Sequence, residues 1–100
     1  KVIIVNNEAL GMVRQWQEAF YSERYSQSIF SIQPDFVKLA EAYNIRGLKL
    51  TTQEEFINAL PDIFDYNGPV VVDARVLQQE NVFPMIAPGK GINEMIGVKP

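Results

Sequence analysis

The 100-residue chain contains no cysteine and no histidine. The absence of cysteine excludes disulfide bonds, thiolate nucleophiles and zinc–cysteine sites within these residues, and it is compatible with a reducing compartment. The absence of histidine removes the side chain best suited to proton transfer near neutral pH. Catalysis would therefore depend on carboxylates, lysine or tyrosine, or on a cofactor that brings its own chemistry.

Long apolar runs and clusters of positive charge are also lacking. The longest apolar runs, Val2 to Val5 and Val70 to Val72, are far too short to cross a bilayer, and no signal-peptide pattern precedes them. Twelve acidic and nine basic residues give a net charge of −3 without a basic cluster, which argues against a nucleic-acid-binding surface. We therefore expect no membrane or nucleic-acid partner, and a cytoplasmic location.

The opening segment, KVIIVNNEALGMVRQWQ, predicts a strand, a polar turn and a helix. Lys1 to Val5 is apolar on both faces, which is typical of an interior strand of a parallel sheet. Asn6 and Asn7 end this strand, because asparagine favours turns. The helix that follows has apolar residues three and four positions apart, which predicts one buried apolar face and one exposed polar face. The apolar positions are Met12, Val13, Trp16 and Phe20, and the polar ones are Arg14, Gln15, Gln17 and Glu18.

The turn from Asn6 to Met12 is at a position where α/β proteins often bind ligands. In open α/β sheets, ligands lie beyond the carboxyl ends of the strands, where helix N-termini offer free N–H groups. The local pattern alone favours a plainer interpretation, in which the asparagines are turn and cap residues and Trp16 belongs to the core.

The rest of the chain alternates between helices and strands, which indicates an α/β fold. We expect a three-layer parallel sheet with helices on both faces. A kink or a restart of the third helix is predicted near Leu60, because Pro61 removes a helix hydrogen bond. The irregular residues 77–100 predict a carboxyl-terminal arm. The other predicted elements are helices from Pro34 and from a capping box at Thr52–Glu55, and strands at 46–50 and 70–76.

Several segments, taken in order, resemble one protein family. They are Asn6-Asn7, Leu10 to Gln17, Phe20-Tyr21, Arg24-Tyr25-Ser26, Pro34 to Tyr43, Gly68-Pro69, Glu80-Asn81-Val82, Phe83-Pro84-Met85, Pro88-Gly89 and Glu94 to Gly97. Together they closely resemble the carboxyl end of the acetolactate synthase (acetohydroxyacid synthase) large catalytic subunits. The resemblance implies the second half of a thiamin-diphosphate-binding domain at residues 1–76, followed by the arm at residues 77–100.

The resemblance implies a metal and cofactor site in the first turn. The family holds Mg²⁺ through an aspartate of an upstream Gly-Asp-Gly segment, the second asparagine of the pair, and an oxygen two residues later. The last two ligands correspond to the side-chain oxygen of Asn7 and the backbone carbonyl of Ala9, both of the oxygen type that Mg²⁺ prefers. Some relatives carry glutamate in place of Ala9, so this ligand departs from their pattern. Leu10, Gly11 and Met12 would border thiamin diphosphate, with Gly11 permitting close backbone approach.

A substrate channel and a reaction are implied by the same resemblance. Met12, Val13 and Trp16 match residues that line the substrate and inhibitor channel, where the face of Trp16 would favour 2-oxobutyrate as acceptor. The implied activity is the thiamin-diphosphate- and Mg²⁺-dependent condensation of pyruvate with a second 2-oxo acid, pyruvate or 2-oxobutyrate, in branched-chain amino acid biosynthesis.

Parts of the family's active site have no counterpart in these residues. They are the Gly-Asp-Gly aspartate, the cofactor-activating glutamate of the partner subunit, and the FAD-binding middle domain, so FAD would not bind this segment. Because the chain begins at Lys1 within a predicted buried strand, we expect a fragment of a larger protein that is inactive alone. The implied partners are a second catalytic subunit, in a homodimer with the active site at the interface, and a possible small regulatory subunit.

Two alternatives remain open. One is another thiamin-diphosphate-dependent 2-oxo-acid decarboxylase or carboligase, although the segment from Met12 to Gln17 favours the synthase. The other is a non-catalytic α/β module that associates with itself through exposed sheet edges. The upstream sequence would decide the first alternative, and a defined dimer in solution would support the second.

Overall fold

The computed structural model describes residues 1–97. Three strands, β1 (Val2–Asn6), β2 (Arg46–Leu50) and β3 (Val70–Arg75), form a parallel sheet in the order β1–β3–β2. The predicted α/β fold with a parallel sheet is thereby confirmed. The helices are α1 (Gly11–Phe20), α2 (Phe36–Ala42) and α3 (Gln53–Phe64).

Strand β3 is the central strand, as its apolar sequence predicted. It pairs with β1 from Val2 opposite Val71 onward, and with β2 from Arg46 opposite Val70 onward. The prediction that β1 is an interior strand is not met within residues 1–97, where β1 pairs with β3 alone. Its apolar residues are accordingly exposed, Val5 most of all, because α2 and α3 contact β2 and β3 instead.

The hydrophobic core lies between β2, β3 and α3. Its fully covered members are Leu50, Ile63, Val70 and Val72, with Leu48, Phe56, Ala59 and Ala74 packed around them. Helix α3 begins with the predicted capping box, in which Thr52 and Glu55 satisfy each other's backbone N–H groups. The predicted restart near Leu60 does not occur, because α3 continues through Pro61 to Phe64. The carbonyl that Pro61 cannot bond belongs to Ile57, an exposed residue, where water can replace the missing donor.

Helix α2 is shorter than predicted at its start. It begins at Phe36 rather than Pro34, because the Asp35 side chain is the N-cap and accepts hydrogen bonds from the backbone N–H groups of Val37 and Lys38. After this helix, Asn44 takes a left-handed backbone conformation with φ of 55°.

The arm has little regular structure in its described part. Strands β4 (Met85–Ile86) and β5 (Met95–Ile96) pair in antiparallel fashion, and a 3₁₀ turn at Ile92–Glu94 matches the short helical turn expected there. Within residues 1–97, no helix has the length and apolar character needed to cross a membrane.

Candidate functional site

The turn between β1 and α1 lies at the carboxyl end of the parallel sheet. Both asparagines of the pair organise it, since the Asn6 side-chain oxygen accepts from the Glu8 N–H at 3.0 Å and the Asn7 oxygen accepts from the Ala9 N–H at 3.1 Å. Between them, Glu8 takes a left-handed backbone conformation with φ of 57°. Such a conformation is uncommon for a residue with a side chain, so the turn depends on its surroundings.

A buried polar cluster ties this turn to the sheet. The Asn6 amide donates to Asp73 on β3 at 2.8 Å and to the Gln33 side chain at 3.0 Å, and Gln33 donates back to Asn6 at 3.1 Å. Asn6 and Asp73 are both buried. Asn6 was predicted only to end the strand, so this cluster was missed. The available signal was Asp73 itself, an acidic residue that directly follows three valines in β3.

An ion pair with Arg75 also holds Glu8 in place. Arg75, at the end of β3, bonds the Glu8 carboxylate and also donates to Asp73 at 3.1 Å. Burial opposes the charge on Arg75, but its hydrogen bonds and charge interactions with Glu8 and Asp73 outweigh this effect and raise the pKa of Arg75. The left-handed Glu8 is thus held both by its backbone bond to Asn6 and by its ion pair with Arg75.

Gly11 leaves space for the side chain of Asn7. A Cβ atom at Gly11 would lie 2.9 Å from the Asn7 amide nitrogen, so a larger residue would displace the Asn7 side chain. The sequence analysis expected Gly11 to allow a cofactor to approach, whereas the observed close approach is that of Asn7. Leu10 lies in the same turn and is fixed by a bond from its N–H to the Ser28 carbonyl at 2.8 Å.

Helix α1 buries the face that its sequence pattern predicted to be exposed. Arg14 and Gln15 are only 1% and 2% exposed, whereas the apolar face of the helix is between 37% and 49% exposed. The members of that apolar face are Met12, Val13, Trp16 and Phe20. The prediction that the apolar face packs inward is therefore wrong for residues 1–97, because the buried polar side chains find hydrogen-bond partners in the arm.

The three predicted channel residues lie together on the exposed face of α1. Met12, Val13 and Trp16, with Gln17 and Tyr21, line an open and mainly apolar cavity of about 390 Å³. The indole ring of Trp16 packs edge-to-face on the ring of Phe20, with 5.6 Å between the two ring centroids. Trp16 is therefore not enclosed in a core within the described residues.

Asn7 lies at a different cavity from the channel residues. This second cavity, of about 350 Å³, lies beyond the carboxyl ends of the strands. Asn6, Asn7, Glu8, Lys49, Thr51, Arg75, Val76, Leu77 and Gln78 line it. The structure thus places the predicted metal residue and the predicted channel residues at two different cavities.

Comparison with known proteins identifies the family of the chain. Residues 1–74 match the family model described as "Thiamine pyrophosphate enzyme, C-terminal TPP binding domain". The chain belongs to this family. Thiamine pyrophosphate is another name for thiamin diphosphate, so the cofactor class expected from the sequence agrees with the family.

Individual relatives of this thiamine pyrophosphate enzyme domain are named as acetolactate synthases. The chain is 50% identical to the acetolactate synthase large subunit of Pyropia yezoensis over 98% of its length, and 43% identical to the mitochondrial acetolactate synthase catalytic subunit of Saccharomyces cerevisiae over its whole length. It is 38% identical to the acetolactate synthase isozyme 2 large subunit of Escherichia coli K12 over 96% of its length. The chain spans only 17%, 14% and 18% of these three relatives, respectively.

Two oxygen atoms of the turn are of the type that Mg²⁺ prefers. Asn7 offers an amide oxygen that already accepts one hydrogen bond and retains a second lone pair, and Ala9 offers a backbone carbonyl. Both are hard oxygen donors. Residues 1–97 contain no group of three or more acidic side chains arranged to hold a metal. The residues present therefore fit a partial Mg²⁺ site, to which phosphate oxygens and a further carboxylate would contribute.

Proposed function

We propose that this chain is part of an acetolactate synthase large subunit, comprising the second half of its thiamin-diphosphate-binding domain and the arm that follows. The observation that carries this proposal is the extent of the similarity. The family model ends at residue 74, but the identity with acetolactate synthase large subunits continues through the arm and covers 98% of the chain or more in the Pyropia and yeast relatives. This extent favours the synthase over other thiamin-diphosphate-dependent decarboxylases and carboligases.

The proposed cofactor site is the turn after β1. Asn7 and Ala9 hold Mg²⁺, and Leu10, Gly11 and Met12 border thiamin diphosphate. Two features support this proposal: the buried cluster that fixes the turn, and the start of α1, where Leu10 makes no side-chain capping bond. The first N–H groups of such a helix are suited to bind phosphate oxygens. When bound, thiamin diphosphate supplies the electron sink for decarboxylation of the 2-oxo acid.

The proposed substrate surface is the apolar face of α1. Met12, Val13 and Trp16 orient the 2-oxo acids and exclude water, and the Trp16 face favours 2-oxobutyrate over pyruvate as acceptor. The product would be an acetohydroxy acid of branched-chain amino acid biosynthesis. The exposure of these three side chains around one cavity supports this role.

The remaining proposals concern the architecture and assembly of the parent protein. Neighbouring residues on a strand point to opposite faces. Gly47 approaches Val37 of α2 whereas Leu48 packs in the core under α3, which supports the three-layer arrangement. We divide the chain into a partial domain at residues 1–76 and an arm at residues 77–100.

A second catalytic subunit would complete the active site, and FAD and any regulatory subunit would bind elsewhere in the parent protein. The cytoplasmic location stays a prediction.

The test is a substitution of the proposed metal ligand in the protein that carries this chain. Asn7→Ala should weaken activation by Mg²⁺ by about 10-fold to 100-fold, measured as acetolactate formed from pyruvate against Mg²⁺ concentration. The matched control is Asn67→Ala, which removes an exposed turn asparagine at the opposite end of β3. An Asn7→Ala variant with the Mg²⁺ dependence of the unsubstituted protein would exclude the metal role of Asn7.

A second candidate function is self-association, and the free edge of β1 is the observation that favours it. Within residues 1–97 this edge pairs with no strand, and an exposed apolar edge readily pairs with another chain. Sedimentation of the 100-residue chain distinguishes the two candidates. A defined dimer supports the interaction module, whereas a polydisperse sample supports a part of a larger enzyme. In the second case, we expect no micromolar binding of thiamin diphosphate by the isolated chain.

A further inference from the structure

The buried face of α1 contacts the arm through the side-chain amide of Gln15. Its nitrogen donates to the Val82 carbonyl at 2.9 Å, and its oxygen accepts from the Val82 N–H at 2.8 Å. One glutamine thus satisfies both backbone groups of one arm residue. Because Gln15 is only 2% exposed, water cannot readily replace these two bonds.

Arg14, the residue before Gln15 on α1, makes a second connection to the arm, at Glu80 and Asn81. Its guanidinium donates to the Asn81 side-chain oxygen and to the Glu80 carbonyl at 3.3 Å, and it pairs with Glu18 on the same helix at 2.7 Å. The Asn81 amide donates to the same Glu18 carboxylate at 3.2 Å. Arg14, Glu18 and Asn81 therefore form a closed triangle that joins helix and arm.

Because Arg14 is buried, both α1 and the arm depend on this connection. A buried guanidinium is destabilising unless its charge is paired and most of its N–H groups have acceptors. Here Glu18 supplies the opposite charge, and two further acceptors come from the arm. The Nε atom of Arg14 is buried and has no hydrogen-bond partner among residues 1–97. No unused acceptor in these residues is therefore in place to replace Asn81. Separation of the arm from α1 would expose these groups to water.

We propose that Arg14 and Gln15 are positioning residues that fix arm residues 80–82 to α1, and that this attachment sets the position of the opposite face of α1. That opposite face carries Met12, Val13 and Trp16, so the arm acts on the channel surface through α1. The attachment itself stands on the hydrogen bonds alone. Its effect on 2-oxo acid binding rests on the proposed function.

Hydrogen–deuterium exchange of the whole protein that carries this chain tests the attachment. In Gln15→Ala, the Val82 amide loses its acceptor, and we expect exchange in a peptide covering residues 80–85 to become about 5-fold to 10-fold faster. Gln17→Ala is the matched control. Gln17 lies on the same helix but bonds Ser26 and Ser28 instead of the arm, so its loss should leave residues 80–85 unchanged.

A second variant guards against a general loss of structure. Gln15→Met keeps most of the side-chain volume but cannot make the paired hydrogen bonds to Val82, so its exchange rate should match that of Gln15→Ala. Unchanged exchange at residues 80–85 in Gln15→Ala, or an equal increase in Gln17→Ala, would overturn the attachment.

The positioning role has a separate kinetic readout. Gln15→Ala should raise KM for the 2-oxo acid several-fold while leaving the thiamin diphosphate concentration for half-activation unchanged. Gln79→Ala is the control, because the side chain of this arm glutamine is exposed. Faster exchange with an unchanged KM would overturn the positioning role. An unsubstituted protein that forms no acetolactate would overturn the proposed function instead, and the exchange result would still decide the attachment.

Discussion

Helices α1 and α3 have similar amphipathic sequences but bury opposite kinds of face. Helix α3 packs apolar side chains, Phe56, Ala59 and Ile63, on the sheet. Helix α1 buries Arg14 and Gln15 against the arm and leaves its apolar side exposed. An amphipathic pattern therefore identifies two faces of a helix without stating which one this chain covers. Side chains with enough donors and acceptors can make a polar face the buried one.

The largest expected effect tests the conventional face of α3. Ile63→Ala should lower the free energy of unfolding of the 100-residue chain by about 2 to 5 kcal/mol, because Ile63 is fully buried and its loss leaves a cavity. Ile57→Ala is the matched control on the same helix, where the side chain is 53% exposed. Urea denaturation measures both. Equal losses in the two variants would mean that α3 does not pack as described.

The next comparison is between the N-terminal caps of α3 and α1. Thr52→Ala removes the capping box of α3 and should cost about 1 kcal/mol, whereas Thr52→Ser keeps the hydroxyl and should cost much less. Helix α1 has no side-chain cap at Leu10, so Leu10→Ala should not cause a capping loss. Urea denaturation midpoints compare the three variants. A Thr52→Ser variant as unstable as Thr52→Ala would exclude the hydroxyl as the stabilising group.

A smaller effect is expected from the exposed face of α1. Phe20→Leu removes the edge-to-face contact with Trp16 and should cost about 0.5 to 1.5 kcal/mol in the 100-residue chain. Tyr43→Leu is the control, an exposed aromatic residue that has no ring partner in the part of the chain described. A loss for Phe20→Leu as large as that for Ile63→Ala would contradict the exposure of this face.

The smallest effect concerns acid conditions at the buried face of α1. The hydrogen bond from Asn81, followed by that from Arg14, lowers the pKa of Glu18. A lowered pKa means that the folded state favours the charged carboxylate, so this contribution is present above the ordinary glutamate value of about 4.3 and is lost as pH falls through the lowered value.

The side-chain amide signals of Asn81 in NMR should therefore stay constant at neutral pH and shift only under acid conditions. Glu18→Gln is the control, because it cannot lose a charge in this range. The same acid shift in Glu18→Gln would assign it to another group.

The fold was predictable because its signals are local. Runs of β-branched residues marked β1 and β3, and the spacing of Thr52 and Glu55 marked the start of α3. The errors were also local in origin. Helix α2 begins after Asp35 rather than at Pro34, since the Asp35 carboxylate accepts hydrogen bonds from the first free N–H groups of the helix. Helix α3 continues through Pro61 without a restart.

The candidate site was predictable only in part. The asparagine pair marked the turn, but the contacts that fix it join Asn6 to Asp73 and Glu8 to Arg75, both 67 residues apart. No periodicity in the sequence encodes such pairs. The burial of Arg14 was missed for the same reason, because its partner Asn81 lies 67 residues further along the chain. Contacts of this kind depend on the tertiary fold rather than on residue spacing.

The pairing between Gln15 and Val82 has a consequence for which arm sequences this helix can accept. A side-chain amide has the same donor and acceptor as a peptide group, so Gln15 interacts with the arm as a neighbouring strand would. Both bonds go to the main chain of Val82, so most side chains at that position could preserve them. Proline could not, since it has no N–H to donate. Helix α1 therefore recognises the arm at Val82 through the backbone of the arm. A particular arm side chain is recognised at Asn81 instead.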